Sequence, residues 1–367
     1  MRSALRHDII ISRPYVGIGD IYVVAGQSNA SGRGSSPNWY THPVLRATLF
    51  GNDDRWEELL DPVDGASGQV DRVSADPLAG GSVWPLLATE LMAAENVPVA
   101  FVPCARGTTP IRRWVEDASA PHARTTLYGS MLRRVRAVGG RVRAVLFWQG
   151  EADARESTSQ EAYAAALRSL SAALTQDCGA PLVAAQIGDY DMRRYSREGV
   201  DAIRLAQQQA WLAGWALEGP ALYDIDLHGG VHFTAWDDEL IAARRWAAAI
   251  LSTVLRRAVP PAPTLKSARY DGVLTVTLCF DCGGASLRPG QAGGLVLRAD
   301  GEPVQVAAAV TSGDMVMLSI AAPAHPPLTV SLGSGREAAG QPVPVEGSSW
   351  ALPAQVFVDA PVVMSGE

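Results

Sequence analysis

The sequence lacks any apolar run that approaches the roughly 18 residues needed to span a membrane, and it lacks a block of basic residues. Its 31 lysines and arginines are outnumbered by 38 aspartates and glutamates, which gives a formal net charge of −7. Because nucleic-acid binding relies on a basic face, we expect neither a nucleic-acid nor a membrane partner. The N-terminal segment has only the short apolar run Ile9–Ile11 and does not have the form of a secretory signal. We therefore expect a cytoplasmic or phage-associated protein, or one exported after a signal is removed.

Cysteine is scarce, with Cys104, Cys178, Cys279 and Cys282 as the only four. A chain of 367 residues buries enough surface to fold without disulfides. The Cys279-x-x-Cys282 pair has no second pair of metal ligands nearby in the sequence, so a zinc ribbon is not expected. A structural pair and two free thiols both remain open.

Short apolar runs rich in Val, Ile and Leu alternate with helical patterns along the first two thirds of the chain. The predicted strands are residues 21–26, 97–105, 142–150, 181–188 and 221–226, and the predicted helices are 84–96, 126–140, 159–177, 201–214 and 237–257. This alternation predicts an α/β fold with a parallel sheet that is covered on both faces. In such sheets the ligand binds beyond the carboxyl ends of the strands.

The pattern changes after prolines near residue 260, where alternating strand-like runs and turn glycines follow. We predict an α/β catalytic domain at 1–258 and a smaller β-rich domain, an antiparallel sandwich, at 259–367. The dipeptide Asp300-Gly301 predicts a tight hairpin between two of its strands.

Four polar motifs stand at the ends of predicted strands. Ser28 follows the first strand directly, where helix N-terminal N–H groups can stabilise developing negative charge. A serine that only caps the next helix is the alternative. Of the six histidines, His232 follows the last predicted strand of the sheet, and Thr234 with Asp237 resembles a capping box that fixes this segment. Gly107 and Gln149 follow two other strands.

These motifs together resemble the SGNH (GDSL-like) hydrolase superfamily, in particular its sialate O-acetylesterase and carbohydrate acetylesterase branch. The matching segments, in order, are GQSNASGRG (26–34), CARGTTPIRRW (104–114), WQGEADA (148–154) and GVHFT (230–234). The resemblance spans about residues 20–257 and implies a flavodoxin-like three-layer α/β/α fold. It also implies a serine esterase that acts on an acetylated carbohydrate with no cofactor and no metal.

The resemblance assigns a role to individual residues. Ser28 corresponds to the nucleophile and His232 to the base. The backbone N–H groups of Ser28 and Gly107 and the Gln149 amide correspond to the oxyanion hole. The supporting residues would be Gln27, Asn29, Arg106 and Glu151.

The sequence departs from the superfamily at the position three residues before His232, where many members carry an aspartate and this chain has Gly229. Asp226 is the candidate acid if the loop folds back. Alternatively, a backbone carbonyl orients the imidazole and the site is a Ser–His dyad; a carbonyl can fix the tautomer, which is one of the two tasks of the acid, the other being to stabilise the imidazolium. We favour the dyad because Gly229 and Gly230 together suggest a loop shaped by its backbone rather than by a side chain.

Three other functions remain as alternatives. A metal-dependent hydrolase would use Asp224, Asp226, His228 and His232. An α/β-hydrolase is disfavoured because no G-x-S-x-G elbow is present. A glycan-binding protein with a degenerate esterase fold is the non-catalytic alternative. Both this protein and a carbohydrate esterase would bind sugar rings, and some of five tryptophans would form a stacking surface while others lie in the core: tryptophans 39, 56, 84, 114 and 148.

Overall fold

The computed structural model describes residues 18–118, 123–188, 194–225, 227, 230–334, 350 and 352–365. Asp226, His228 and Gly229 lie outside this set, so the candidate acid and the glycine at the aspartate position are not described.

A seven-stranded sheet forms the centre of the first region, in the order β3-β2-β4-β1-β5-β6-β7. Its strands are β1 Asp20–Gly26, β2 Ala47–Phe50, β3 Trp56–Glu58, β4 Val99–Pro103, β5 Ala144–Trp148, β6 Leu182–Gln186 and β7 Leu217–Ala221. Every residue of β4, β5 and β6 is buried, as expected for strands covered on both faces.

The predicted parallel sheet is wrong at one edge, because β3 pairs antiparallel with β2 and makes the sheet mixed. A tight turn joins the two strands, with the Gly51 N–H donating to the Arg55 carbonyl at 2.8 Å. So short a connection permits only an antiparallel pair. The sequence analysis missed both strands because they are short and β3 is exposed throughout.

The last predicted strand of the sheet is also displaced. Residues 221–226 were expected to be extended, but β7 ends at Ala221 and a buried turn follows, in which the Ile225 N–H donates to the Leu222 carbonyl at 3.2 Å. Leu222 and Ile225 are buried in this turn. A buried turn and a buried strand give the same apolar sequence pattern, which explains the error.

Helices cover the sheet. They are α1 Ser28–Ser31, α2 Trp84–Glu95, α3 Arg112–Ala118, α4 Leu127–Ala137, α5 Glu151–Glu156, α6 Gln160–Cys178, α7 Arg197–Leu212 and α8 Trp236–Ala249, with a π-helical turn at Ile250–Val254. Thr126, Ser159 and Ser196 cap α4, α6 and α7 through their hydroxyl oxygens, which accept N–H groups three residues on. The capping box predicted for α8 is wrong, since Ala235 is its N-cap and no side chain caps it.

The second region is a nine-stranded sheet in the order β10-β13-β14-β9-β8-β16-β15-β11-β12. The strands are β8 Thr264–Tyr270, β9 Thr275–Asp281, β10 Gly290–Gln291, β11 Leu295–Ala299, β12 Glu302–Val304, β13 Val306–Ser312, β14 Met315–Ile320, β15 Leu328–Leu332 and β16 Phe357–Met364. The pairs are antiparallel except for β16 with β8. The hairpin at Asp300-Gly301 is confirmed, with both residues at positive φ. Cys279 and Cys282 are free thiols.

The two regions are in contact. The Tyr223 ring belongs to the apolar core of the second region, and its hydroxyl donates to the Ala354 carbonyl. Arg204 Nη1 donates to the Gly333 carbonyl at 2.7 Å, and Gln208 Nε2 donates to the Val356 carbonyl at 3.0 Å. Among the described residues, no helix combines the length and apolarity that a membrane span requires.

Candidate active site

Ser28 lies where β1 turns into α1. Gly26, the last residue of β1, has φ of +128°, which favours glycine. A Cβ there would lie 2.1 Å from the Trp148 carbonyl oxygen of the neighbouring strand. The Gln27 N–H then donates to the same carbonyl at 3.0 Å, and the helix begins at Ser28. The strand therefore delivers the serine to the carboxyl edge of the sheet, as the sequence predicts.

His232 meets this serine. Its Nε2 lies 2.9 Å from Ser28 Oγ. When the ring carries its proton on Nδ1, the hydroxyl donates to Nε2, which is the geometry required of a general base acting on a nucleophile. The structure thus brings together the two residues on which the sequence prediction depended.

Three contacts fix the segment that carries His232. Asn29 Nδ2 donates to the Val231 carbonyl at 3.0 Å. The Ser35 N–H donates to the Phe233 carbonyl at 3.2 Å. The Phe233 ring packs edge-on against Trp148, with ring centroids 5.7 Å apart. These contacts replace the expected capping box, and they link the segment to α1, to the loop after α1 and to β5.

The histidine is held in its neutral form. Burial and, to a smaller extent, the nearby Arg33 guanidinium together lower the pKa of His232 to about 4, while the Asp76 carboxylate opposes the shift. A neutral imidazole at neutral pH is ready to accept the serine proton.

Gly107 lies in the loop after β4, next to the nucleophile. The Arg106 N–H donates to the Gly26 carbonyl at 3.0 Å, which draws this loop against the end of β1. A Cβ on Gly107 would lie 2.1 Å from Arg33 Nη2 and 2.7 Å from Asp76 Oδ2. Only glycine fits beside that ion pair. Among the described residues, no protein acceptor takes the N–H of Ser28 or of Gly107.

The Gln149 amide does not fit the role expected for it. The residue is 0% exposed, and its Nε2 donates to Asp153 Oδ2 at 2.6 Å and to the Thr109 carbonyl at 3.1 Å. Gln27 Oε1 lies 3.2 Å from the same nitrogen. Both amide hydrogens are therefore engaged inside the protein, and none is left for an oxyanion. Gln149 instead connects the loops that follow β1, β4 and β5.

The residues expected to support the site form hydrogen bonds to the neighbouring loops and helices. Asn29 Nδ2 donates to Glu151 Oε1 at 2.7 Å, which joins α1 to the start of α5. Gln27 Oε1 accepts the Ala152 N–H at 3.1 Å. Arg106 Nη1 donates to the Ala75 carbonyl at 2.6 Å. The loops around Ser28 are thus connected to one another by buried polar groups.

The contacts of the described residues do not support the metal-site alternative. Asp224 pairs with Arg245 in a buried ion pair, with Nη1 at 2.5 Å from Oδ1 and Nη2 at 2.8 Å from Oδ2. No group of three metal-ligating side chains occurs among the described residues. Asp224 therefore fastens the turn after β7 to α8.

The sequence analysis missed the Arg33–Asp76 pair. Arg33 Nε lies 2.7 Å from Asp76 Oδ2, and Nη2 lies 2.8 Å from Asp76 Oδ1. The pair lowers the pKa of Asp76, against the effect of burial. Arg33 belongs to the nucleophile motif, but its partner is 43 residues away, and no local pattern marks Asp76.

A second missed group is a pair of carboxyl side chains, the buried Glu239 and the half-buried Asp61, which both bond to Asn38. Asn38 donates its N–H to Asp61 Oδ2 at 2.8 Å and its Nδ2 to Glu239 Oε2 at 2.7 Å. Glu239 Oε1 lies against Gly34, where a Cβ would come within 1.9 Å. Burial raises the pKa of Glu239 to about 7, with Asp61 and Asp238 acting in the same direction, and burial raises the pKa of Asp61 to about 6.

Comparison with known proteins identifies the family. Residues 18–230 match the model of a family described as carbohydrate esterase, sialic acid-specific acetylesterase. The chain belongs to this family. The match includes Ser28, Gly107 and Gln149 and ends two residues before His232.

Two individual proteins are also similar to this chain. A probable carbohydrate esterase of Arabidopsis thaliana is 30% identical over 162 residues, which is 39% of this chain and 58% of that protein's length. The crystal structure of a carbohydrate acetylesterase from Xanthomonas citri superimposes with a TM-score of 0.68 at 20% identity, covering 92% of this chain and 80% of that one. At that identity the likeness shows a shared fold, and it extends over both regions of the chain.

Arg33 should contribute to the pH dependence of ester hydrolysis. We expect kcat/KM of the wild-type enzyme to fall only below a pH of about 4, because His232 must be neutral to act as base. Arg33→Gln removes a nearby cation and should move this acid limb to higher pH. The measurement is a pH–rate profile with 4-nitrophenyl acetate. Arg55→Gln, at an exposed arginine, is the matched control and should not move the limb. A wild-type limb between pH 6 and 7, where an unperturbed imidazole titrates, would contradict the prediction.

Glu239 should make the stability of the protein depend on pH. Its pKa is raised in the folded state, so its contribution to stability is present below the unfolded value of about 4.3 and is lost as the pH rises through about 7. Glu239→Gln removes this titration. The melting temperature of the variant relative to wild type should therefore increase from pH 5 to pH 8. Glu161→Gln, at an exposed site on α6, should follow the wild type; equal slopes for all three proteins would contradict the prediction.

Proposed function

We propose that this protein is a serine esterase that removes O-acetyl groups from a carbohydrate. The observation that carries the proposal is the 2.9 Å contact between Ser28 Oγ and His232 Nε2 at the carboxyl edge of the sheet. Membership of the carbohydrate esterase family supports the same reaction. We also propose that residues 1–258 form a three-layer SGNH catalytic domain and that residues 259–367 form an accessory β-sandwich domain.

The reaction begins with acylation of the serine. His232 Nε2 takes the Ser28 proton while Oγ attacks the acetyl carbonyl carbon, and the carbonyl electron pair moves onto oxygen. Two backbone N–H groups, those of Ser28 and Gly107, are the donors we propose for this oxyanion, since neither is used within the described protein. The tetrahedral intermediate collapses as the imidazolium returns its proton to the sugar oxygen, which leaves as an alcohol.

Deacylation repeats these steps with water. His232 takes a proton from the water, the hydroxide attacks the acetyl-serine carbonyl, and the same N–H pair stabilises the second oxyanion. Acetate leaves as Ser28 Oγ recovers its proton. Neither step requires a cofactor or a metal. The ester and one water molecule are the only reactants outside the protein.

Ser28→Ala should abolish ester hydrolysis and leave the fold intact, since it removes one hydroxyl group from a short helix. Release of acetate from 4-nitrophenyl acetate and from acetylated xylan measures the loss, and circular dichroism checks the fold. Ser35→Ala is the control, because it removes a hydroxyl that, among the described residues, bonds to the Thr234 carbonyl and does not contact His232. Wild-type turnover in Ser28→Ala would exclude Ser28 as the nucleophile, and an inactive wild-type protein would favour the glycan-binding alternative.

Asp226→Asn distinguishes a dyad from a triad. We propose a Ser–His dyad with the imidazole oriented by a backbone carbonyl, so the variant should lose only a small part of its rate. If Asp226 is the triad acid, the loss in kcat should be about 10⁴-fold, because the imidazole then adopts the wrong tautomer. The rate is measured with 4-nitrophenyl acetate on protein whose fold is verified by circular dichroism.

A further inference from the structure

The tryptophans named in the sequence fall into two groups. Trp84, Trp114 and Trp148 are fully buried in the core of the first region, whereas Trp39 and Trp56 are 65% and 49% exposed. The structure adds Trp236, which is 52% exposed at the start of α8. Trp56 packs on the core residue Phe50, with ring centroids 5.2 Å apart, whereas no ring contact ties Trp39 or Trp236 to the core in the described part of the chain. Contiguous exposed apolar surface marks an interaction site.

Two of the exposed rings belong to segments that run side by side. The Ser35 N–H and hydroxyl donate to the carbonyls of Phe233 and Thr234 at 3.2 Å and 3.1 Å. Further along, Asn38 Nδ2 donates to Glu239 Oε2 at 2.7 Å. Trp39 follows Asn38, and Trp236 lies between Thr234 and Glu239. Trp39 and Trp236 therefore belong to two segments that hydrogen bonds hold side by side.

Leu60 extends this surface. It forms an isolated antiparallel bridge with Trp39, and bridge partners place their side chains on the same face. Leu60 is 49% exposed. We call Trp39, Leu60 and Trp236 the tryptophan strip.

The two segments that carry Trp39 and Trp236 also carry the candidate catalytic residues. The segment that ends in Trp39 begins at α1, the helix that holds Ser28, and passes Arg33 beside Gly107. Trp236 follows His232 by four residues. Because hydrogen bonds from Ser35 hold the two segments together one residue beyond His232, both tryptophans lie on the segments that hold the catalytic pair.

The occupant that fits is a saccharide chain. The C–H faces of sugar rings are flat and apolar, and they stack on aromatic rings, while their hydroxyl groups remain in water. A second copy of this protein fits poorly, because a stable interface needs about 800 Å² per partner. Aromatic side chains bury about 150–250 Å² each, so two half-exposed rings and one leucine fall well short of that area.

We propose that the tryptophan strip binds the sugar units beyond the acetylated one, so that the preferred substrate is an acetylated oligosaccharide or polysaccharide rather than a free monosaccharide. This inference rests on the proposed esterase function. It adds the substrate class and two residues, Trp39 and Trp236, that act on binding rather than on the chemical step.

The test compares substrates of different length in four variants. Trp39→Ala, Trp236→Ala and the double variant are measured against Trp56→Ala, which removes an equally exposed tryptophan on β3 outside the strip. The substrates are 4-nitrophenyl acetate, acetylated monosaccharides (xylose, galacturonic acid and N-acetylneuraminic acid), and acetylated xylan, acetylated pectin and acetylated polysialic acid. We expect the strip variants to raise KM for the preferred polysaccharide about threefold to tenfold per tryptophan, with kcat, the monosaccharides and 4-nitrophenyl acetate unchanged.

Binding without turnover separates this proposal from the esterase function. In a Ser28→Ala background, affinity electrophoresis in gels that contain each of the three polysaccharides should show retardation by one of them, and the double strip variant should lose it. Retention that survives in the double variant, or retardation by none of the polysaccharides, would overturn the proposal even if the wild type hydrolyses 4-nitrophenyl acetate. An equal loss on every substrate would assign the tryptophans a structural role. A wild-type dimer that the strip variants convert to monomer would show that the strip is a self-association surface, and would likewise overturn it.

Discussion

The hydrogen bond between Ser28 Oγ and His232 Nε2 joins residues 204 positions apart, and most of the surrounding structure serves to make that contact. The serine needs only a strand that ends at the carboxyl edge of the sheet. The histidine must be brought from a more distant strand of the sheet. It follows β7, an edge strand, while Ser28 follows β1, which lies three places away across β5 and β6. The segment after β7 must therefore return across the ends of two strands.

That return is supported by contacts of the described residues near the two ends of the segment. The Asp224–Arg245 pair holds its first turn to α8, and Tyr223 anchors it in the core of the second region. Phe233 packs on Trp148, and Asn29 bonds to the Val231 carbonyl beside the histidine. A long connection loses much conformational freedom when it is ordered, and buried contacts of this kind offset that loss. The second region therefore contributes to the site through the strand-end segment that it packs against.

Buried polar groups around the site mostly position other groups. Gln149, Asp153 and Glu151 are enclosed, and their hydrogen bonds run between loops. Burial raises the pKa of Asp153 and of Glu239 because it disfavours the charged carboxylate. Gln149 looks catalytic in the sequence because it is a polar residue at the end of a strand. The number of hydrogen-bond partners each one already has distinguishes the residues that brace the loops from those that face a substrate.

The sequence by itself determined the strand-helix alternation, the strand-end positions of Ser28 and Gly107, the hairpin at Asp300-Gly301 and the family. Each of these depends on residues close together in the chain, whose periodicity or turn chemistry is local. The tertiary structure decided the rest. Whether residues 221–226 form a strand or a buried turn, whether the Gln149 amide is free, and which carboxylate pairs with Arg33 all depend on partners tens of residues away. Burial, hydrogen-bond saturation and the exposure of Trp39 and Trp236 are properties of packed neighbours, and no local sequence pattern records them.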